Sequence, residues 1–210
     1  MPANPSYRVV TVGCPNKEDV TFYYHNASAA VAIASFTNSV CAVYTASETN
    51  QFFKYYLPGS PFNAITSFVP GSSYIVYSYN PLNITQQGFY TAPATFVIRP
   101  GYNFIAFDEN SLPFDFDSLS PTDKNNLGII WNVEGLDCSR PQPFEWNSFI
   151  PGNTFNLYTS GIPLSSYYIY NKGNANIVLN IRRKNQYIIT QNFDYITTER
   201  GDRFVTGVAG

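Results

Sequence analysis

Charge is scarce in this chain. Of 210 residues, 12% are Asp, Glu, Lys or Arg, about half of the roughly 25% usual in soluble domains. The net charge of −2 lacks the basic excess that phosphate-driven nucleic-acid binding requires, so no nucleic-acid partner is expected. There is a single histidine, His25, and hydrolysis by a Ser or Cys nucleophile usually needs a His base. The three cysteines, Cys14, Cys41 and Cys138, are odd in number and widely spaced, with no second ligand type beside them. That pattern excludes the usual zinc spacings and gives three reduced thiols packed as small apolar groups; no metal and no cofactor is expected. No stretch approaches the roughly 18 to 20 apolar residues of a membrane span, so no membrane partner is expected. Met1-Pro2-Ala3-Asn4-Pro5-Ser6 lacks the basic and apolar regions of a signal peptide, which points to synthesis in a cytosol.

Aromatic residues, by contrast, make up 17% of the chain. With so few charges, the surface must be covered by Asn, Ser, Thr, Gln and some of the Tyr. Such a surface repels neighbours weakly and offers them amphipathic rings, as contact-forming surfaces do.

Helical periodicity is sparse. Tyr7-Arg8-Val9-Val10-Thr11-Val12, Tyr74-Ile75-Val76-Tyr77-Ser78-Tyr79 and Ile177-Val178-Leu179-Asn180-Ile181 are β-branched or aromatic and bounded by Gly, Pro and Asn, which predicts strands. Pro58-Gly59, Pro70-Gly71, Pro100-Gly101 and Pro151-Gly152 predict tight hairpin turns, with Pro fixing one dihedral and Gly taking the positive one. Two helices are expected, over 27–36 on alanine propensity and over 112–126, where Pro113 and Pro121 interrupt.

An internal repeat organises these runs. Ser67-Phe68-Val69-Pro70-Gly71-Ser72-Ser73-Tyr74-Ile75-Val76-Tyr77 aligns without gaps on Ser148-Phe149-Ile150-Pro151-Gly152-Asn153-Thr154-Phe155-Asn156-Leu157-Tyr158. Val40-Cys41-Ala42-Val43-Tyr44 corresponds to Leu127-Gly128-Ile129-Ile130-Trp131, Phe52 or Phe53 to Phe144 or Trp146, and Val20 to Tyr24 to the run from Tyr102 to Phe107. The expected fold is therefore all-β and mainly antiparallel, with two similar β-sandwich or barrel-like units and short helical crossovers. The expected boundaries are a first unit over 1–93, a second over 94–165, and C-terminal strands with a docking tail over 166–210. In this alignment Gly71 and Gly152 are equivalent positive-φ positions.

The order of these motifs, V-x-x-V-Y, Y-x-P-G, then F-x-P-G-x-x-Y, resembles a small β-rich unit found in structural proteins of tailed phages and in bacterial surface proteins. Gly101-Tyr102-Asn103 resembles its opening strand and Tyr74-Ile75-Val76 its closing strand, over residues 20–160. The resemblance implies contact surfaces and carries no catalytic residues.

Other residue patterns each have a plain structural role beside a functional one. Asp108-Glu109, Asp115 and Asp117 have the composition of a glycosidase carboxylate pair, and more simply that of a solvated acidic loop. Arg182-Arg183-Lys184 suits an exposed strand end, where positive charge blocks unwanted pairing. Arg200-Gly201-Asp202 is an integrin-type tripeptide short enough to arise by chance. Asn26-Ala27-Ser28 and Asn83-Ile84-Thr85 are glycosylation sequons in a secretory route alone. Trp131, Trp146 and the tyrosines are a stacking platform for sugars or, more simply, core and interface anchors.

No catalytic, metal-binding or cofactor-binding residue is therefore assigned. The leading expectation is a non-catalytic virion structural protein of a tailed phage, a capsid decoration, neck or tail component, assembled in the host cytoplasm. Its partners are other virion proteins and copies of itself, with a host-surface glycan as a further candidate. The alternative is a glycan- or receptor-binding adhesion module, and a hydrolase comes third. Residues 171–210 combine a hairpin signal at Asn171-Lys172-Gly173-Asn174, a basic triplet and an apolar, Gly-ended tail, and are expected to dock on another subunit.

Overall fold

A computed structural model describes residues 6–16, 18–46, 53–88, 95–107, 111–133, 146–156, 158–161, 165–182, 187–189 and 195–197. Among them the chain is all-β. The strand pairings are antiparallel, no sheet closes into a barrel, and one short α-helix, α1, spans Pro121–Asn126.

The first half contains β1 (Ser6–Val12), β2 (Asp19–His25), β3 (Val31–Ala32), β4 (Val40–Ala46), β5 (Phe53–Tyr56), β6 (Ser67–Phe68), β7 (Ser72–Ser78) and β8 (Leu82–Gly88). These pair in a nested order: β1 with β8, β3 with β6, and β2-β7-β4-β5 as a four-stranded sheet. The second half contains β9 (Thr95–Ile98), β10 (Gly101–Ala106), β11 (Phe114–Asp115), β12 (Leu127–Val133), β13 (Trp146–Phe149), β14 (Ser160–Gly161), β15 (Ser166–Asn171) and β16 (Ile177–Asn180). It repeats the wiring strand for strand, with β9 on β16, β11 on β14, and the sheet β10-β15-β12-β13. Even the irregularities recur. The β4–β7 ladder slips between Val40 and Ala42, and the β12–β15 ladder between Leu127 and Ile129. β17 (Tyr187–Ile189) and β18 (Tyr195–Thr197) form a separate pair.

Alternation explains which face each strand buries. Along β8, Leu82, Ile84 and Gln86 are buried while Asn83, Thr85 and Gln87 are exposed, the period of two that fixes one face toward a core. Val12, Leu82 and Ile84 of the β1–β8 ribbon pack with Tyr23, Val43, Tyr74 and Val76 of the first sheet. Phe96, Ile98, Ile177 and Leu179 of the β9–β16 ribbon pack with Ile105, Ile130, Tyr167 and Ile169 of the second. Each half thus has its own core between a sheet and a ribbon.

The wiring corrects the register of the repeat. β13 matches β5 and β15 matches β7, so Leu57-Pro58-Gly59-Ser60-Pro61-Phe62-Asn63 corresponds to Ile150-Pro151-Gly152-Asn153-Thr154-Phe155-Asn156, and Ser72-Ser73-Tyr74 to Ser165-Ser166-Tyr167. Hydrogen bonds confirm the shift. Asn63 accepts from the Leu57 N–H (2.7 Å) and donates to the Leu57 carbonyl (3.1 Å); Asn156 does the same with Ile150 (2.8 and 3.0 Å). The counterpart of Gly152 (φ 79°) is therefore Gly59 (φ 78°) and not Gly71, although Gly71 also has a positive φ of 76°. Residues 166–180, expected outside both repeats, instead supply the inner strand β15 and the ribbon strand β16 of the second half. They belong there because Tyr167, Ile169, Ile177 and Leu179 fill its core.

Other expectations change as well. Gly59, Gly71, Gly101 and Gly152 all take positive φ, as Pro-Gly turns require, yet these turns close no hairpin. Each leads to a strand paired elsewhere, so they are corners between a ribbon and a sheet. Asn171-Lys172-Gly173-Asn174 is likewise a corner, since β15 and β16 lie in different sheets. The helix expected over 27–36 shrinks to a 3-10 turn at Ile33–Phe36, because Val31 and Ala32 pair with Phe68 and Ser67; tertiary pairing overrides alanine propensity. Over 112–126, a 3-10 turn at Phe116–Ser118 precedes α1, which Ser120 caps and Pro121 starts, as Pro at a first helical position does.

The two sheets meet face to face. β2 approaches β15 and β12, and reciprocally β10 approaches β7 and β4. Phe22 of β2 packs edge-on against Phe104 of β10 (6.1 Å), its own counterpart. Reciprocal contacts and a residue meeting its equivalent are the marks of a two-fold relation, so the halves are arranged as a pseudo-dimer within one chain.

Candidate functional site

His25, the single candidate base, ends β2 in the first core and is fully buried. Its Nε2 lies 2.6 Å from the Ala29 carbonyl, which can only accept, so Nε2 carries the proton. Nδ1, 2.7 Å from the Tyr23 hydroxyl, then accepts from it, and the Gln86 side-chain amide donates to the Tyr23 oxygen (2.8 Å) and to the Tyr24 carbonyl (2.9 Å). Burial lowers the His25 pKa, against a smaller upward pull from the Ala29 carbonyl, and burial raises that of Tyr23. The network therefore holds a neutral imidazole with both nitrogens engaged. It is suited to specifying a core and gives no substrate access.

The described carboxylates of the acidic segment, Asp115 and Asp117, have local structural partners. Asp115 is exposed and caps the 3-10 turn, accepting from the Asp117 N–H at 2.9 Å. Asp117 stands 4.0 Å from Lys124 as an exposed ion pair; Asp108 and Glu109 lie outside the described residues. No group of His, Cys, Asp and Glu among the described residues could hold a metal ion. No described helix is long and apolar enough to cross a membrane.

Arg182 is exposed just beyond β16, its carbonyl accepting from Leu112 N–H (2.7 Å). Arg183, Lys184, the Arg200-Gly201-Asp202 tripeptide and the 198–210 tail lie outside the described residues. Asn26 is buried, while Asn83 is exposed and accepts from the Thr11 hydroxyl. Trp131 is half-buried and stacks on Tyr168 (5.1 Å) on the face that meets the other half, as an interface anchor does. Of Trp146 only the backbone is described. One expectation fails outright: Cys14 is disulfide-bonded and fully buried, while Cys41 is free.

What the fold does assemble is an aromatic contact surface. Phe53 at the edge of the first sheet packs on Tyr102, Phe104 and Tyr168 of the second (6.0 to 6.3 Å). Beside this seam lies a cleft of about 330 Å³ whose mixed polar and apolar border includes Thr45, Ser72, Val97, Arg99, Tyr102 and Phe104. Sequence reasoning missed the paired Asn clamps and Gln86. The clamps were legible as the recurrence of Pro-Gly-x-x-Phe-Asn at 58–63 and 151–156; Gln86 carries no such signal. No family model, curated protein or solved structure matches this chain.

Proposed function

We propose that the chain is a non-catalytic structural subunit of a tailed-phage virion, a capsid decoration, neck or tail component that acts through protein–protein contacts with other virion proteins and copies of itself. The observation that carries this reading is the pseudo-dimeric, aromatic and charge-poor body, whose one histidine is sealed in a core. Its motif order, which resembles that of phage structural and bacterial surface units, supplies the virion assignment. A polar surface with few charges lowers the electrostatic cost of packing against neighbours, and rigid rings supply contact area at small entropic cost. The Cys14 disulfide suits a particle that functions outside a reducing cytoplasm. Mass spectrometry of gradient-purified particles tests the proposal: the chain should be present in a fixed, multi-copy ratio to the major capsid or tail protein. Its loss on washing, with a ratio that varies between preparations, would refute the assignment.

A further inference from the structure

The two halves differ at most core positions, so residues kept identical between them indicate shared demands. In the turn after β5 and β13 the kept residues are Pro58-Gly59 with Pro151-Gly152, and Phe62-Asn63 with Phe155-Asn156. Folding accounts for three of the four. The Pro-Gly pair sets the corner, and Asn63 and Asn156 clamp it with the matched hydrogen bonds to Leu57 and Ile150. It does not account for the phenylalanine. Phe62 is 79% exposed and Phe155 is 87% exposed, so neither ring adds to a core. Their backbones are nevertheless fixed, the Phe62 N–H donating to Ser60 Oγ (3.2 Å) and the Phe155 N–H to Asn153 Oδ1 (2.9 Å). Each half thus holds a large apolar side chain out in water on a rigid corner, with Leu57 or Ile150 partly exposed beside it.

We propose that these tips are docking wedges for a second copy of the chain, the ring of one copy seating in the cleft beside Tyr102 of the next. The cleft continues the aromatic seam between the halves: Tyr102 and Phe104, which border it, are the rings that receive Phe53 from within the chain. Tyr102 and Val97 keep 38% and 48% of their surface exposed there, so apolar area remains to be covered. Neither turn, 57–63 or 150–156, contains a charged residue. An uncharged tip meets the cleft, whose lining carries a charge at Arg99, without like-charge repulsion, and the tips lack the basic residues that draw loops to anionic lipid surfaces. Tip into cleft is a heterologous contact, which builds rings or filaments. This deepens the assembly reading by naming its self-contact.

Analytical ultracentrifugation of the full chain tests it. Wild type should self-associate as concentration rises, Phe62→Ser/Phe155→Ser should weaken association about tenfold or more, as loss of buried anchors does, and Val97→Arg should do so from the cleft side. Circular dichroism should be unchanged, because all three positions are exposed. Wild type that stays monomeric, or association indifferent to both the tip and the cleft changes, overturns the inference. So does monomeric wild type that floats with phosphatidylcholine vesicles in a tip-dependent way, which would make the tips lipid anchors. Tip-dependent self-association by a chain that no virion contains would keep this contact and remove the phage reading.

Discussion

The two halves share their wiring and differ in how they fill it. At equivalent positions the first core carries Tyr23, His25 and Gln86, joined by hydrogen bonds, where the second carries Ile105, Phe107 and Ile181. The exchange extends to volume. Phe68 on β6, whose ring lies 6.4 Å from that of His25, is replaced on β14 by Gly161, and a Cβ on Gly161 would run into the Phe107 ring. A medium and a large ring in one half thus become a large ring and no side chain in the other. This pair of positions loses volume overall, and the Phe107 ring closes the space over Gly161; a polar network is tolerated when its members are satisfied together. What is common to the halves, the nested pairing, the matched bulge and the Asn-clamped corner, is what defines this architecture.

Breaking the volume exchange should have the largest effect. Gly161→Phe alone should destabilise the second half by about 3 kcal/mol or more through overpacking, and Phe107→Ala alone by about 3 to 5 kcal/mol through the cavity left. The double change should cost clearly less than the sum, because the new ring occupies the vacated space; additive costs in denaturant titration would show that the two sites do not share one volume.

A smaller effect should follow from making one member of the polar core resemble its apolar counterpart. His25→Phe removes the acceptor of the buried Tyr23 hydroxyl and should cost about 1 to 3 kcal/mol. Adding Tyr23→Phe, which removes the stranded donor, should restore part of that loss. A double variant less stable than the single would mean that the hydroxyl is better satisfied than this account allows.

Acidification should separate the halves more gently. His25 is held below its ordinary pKa of 6.5 by burial, so between that lowered value and 6.5 the unfolded chain binds more protons than the folded one. Stability from this group is therefore complete above about pH 6.5 and declines as pH falls from there toward the folded-state value. Hydrogen exchange should show β2 and β7 losing protection across that window before β10 and β15, which have Phe107 in the equivalent place. Equal loss in both halves would contradict the neutral, network-bound histidine. The smallest effect is expected for Asp115→Ala and Asp117→Ala, within about 1 kcal/mol of wild type for exposed cap and ion-pair positions. Biological activity should be unchanged in both, and its loss with folding intact would point to chemistry at that loop.

Much of this comparison was legible in the sequence. Strand alternation and Pro-Gly turns announce an all-β chain, and residue type pairs Val40 to Tyr44 with Leu127 to Trp131, and β2 with β10, as the ladders do. The register failed at the corners. The first half contains two similar turns, Leu57-Pro58-Gly59 and Val69-Pro70-Gly71, and the second keeps one Pro-Gly of that kind, Pro151-Gly152, with Leu164 in place of the other glycine. Turn chemistry alone does not say which pair is equivalent; the asparagine that clamps the corner does. The burial of His25 was not legible either, because its partners Tyr23 and Ala29, and Gln86, which donates to Tyr23, are brought together by β2, the loop after it and β8. The Cys14 disulfide escaped for a similar reason, since spacing reports neither distance nor redox state.

Electron cryo-microscopy of the native particle would show whether this chain is a virion subunit. Density for this two-sheet, two-ribbon body is expected at regular sites on the head, neck or tail, with the corners at Phe62 or Phe155 buried against a neighbouring copy. A complete particle map with every density assigned to other chains would contradict it.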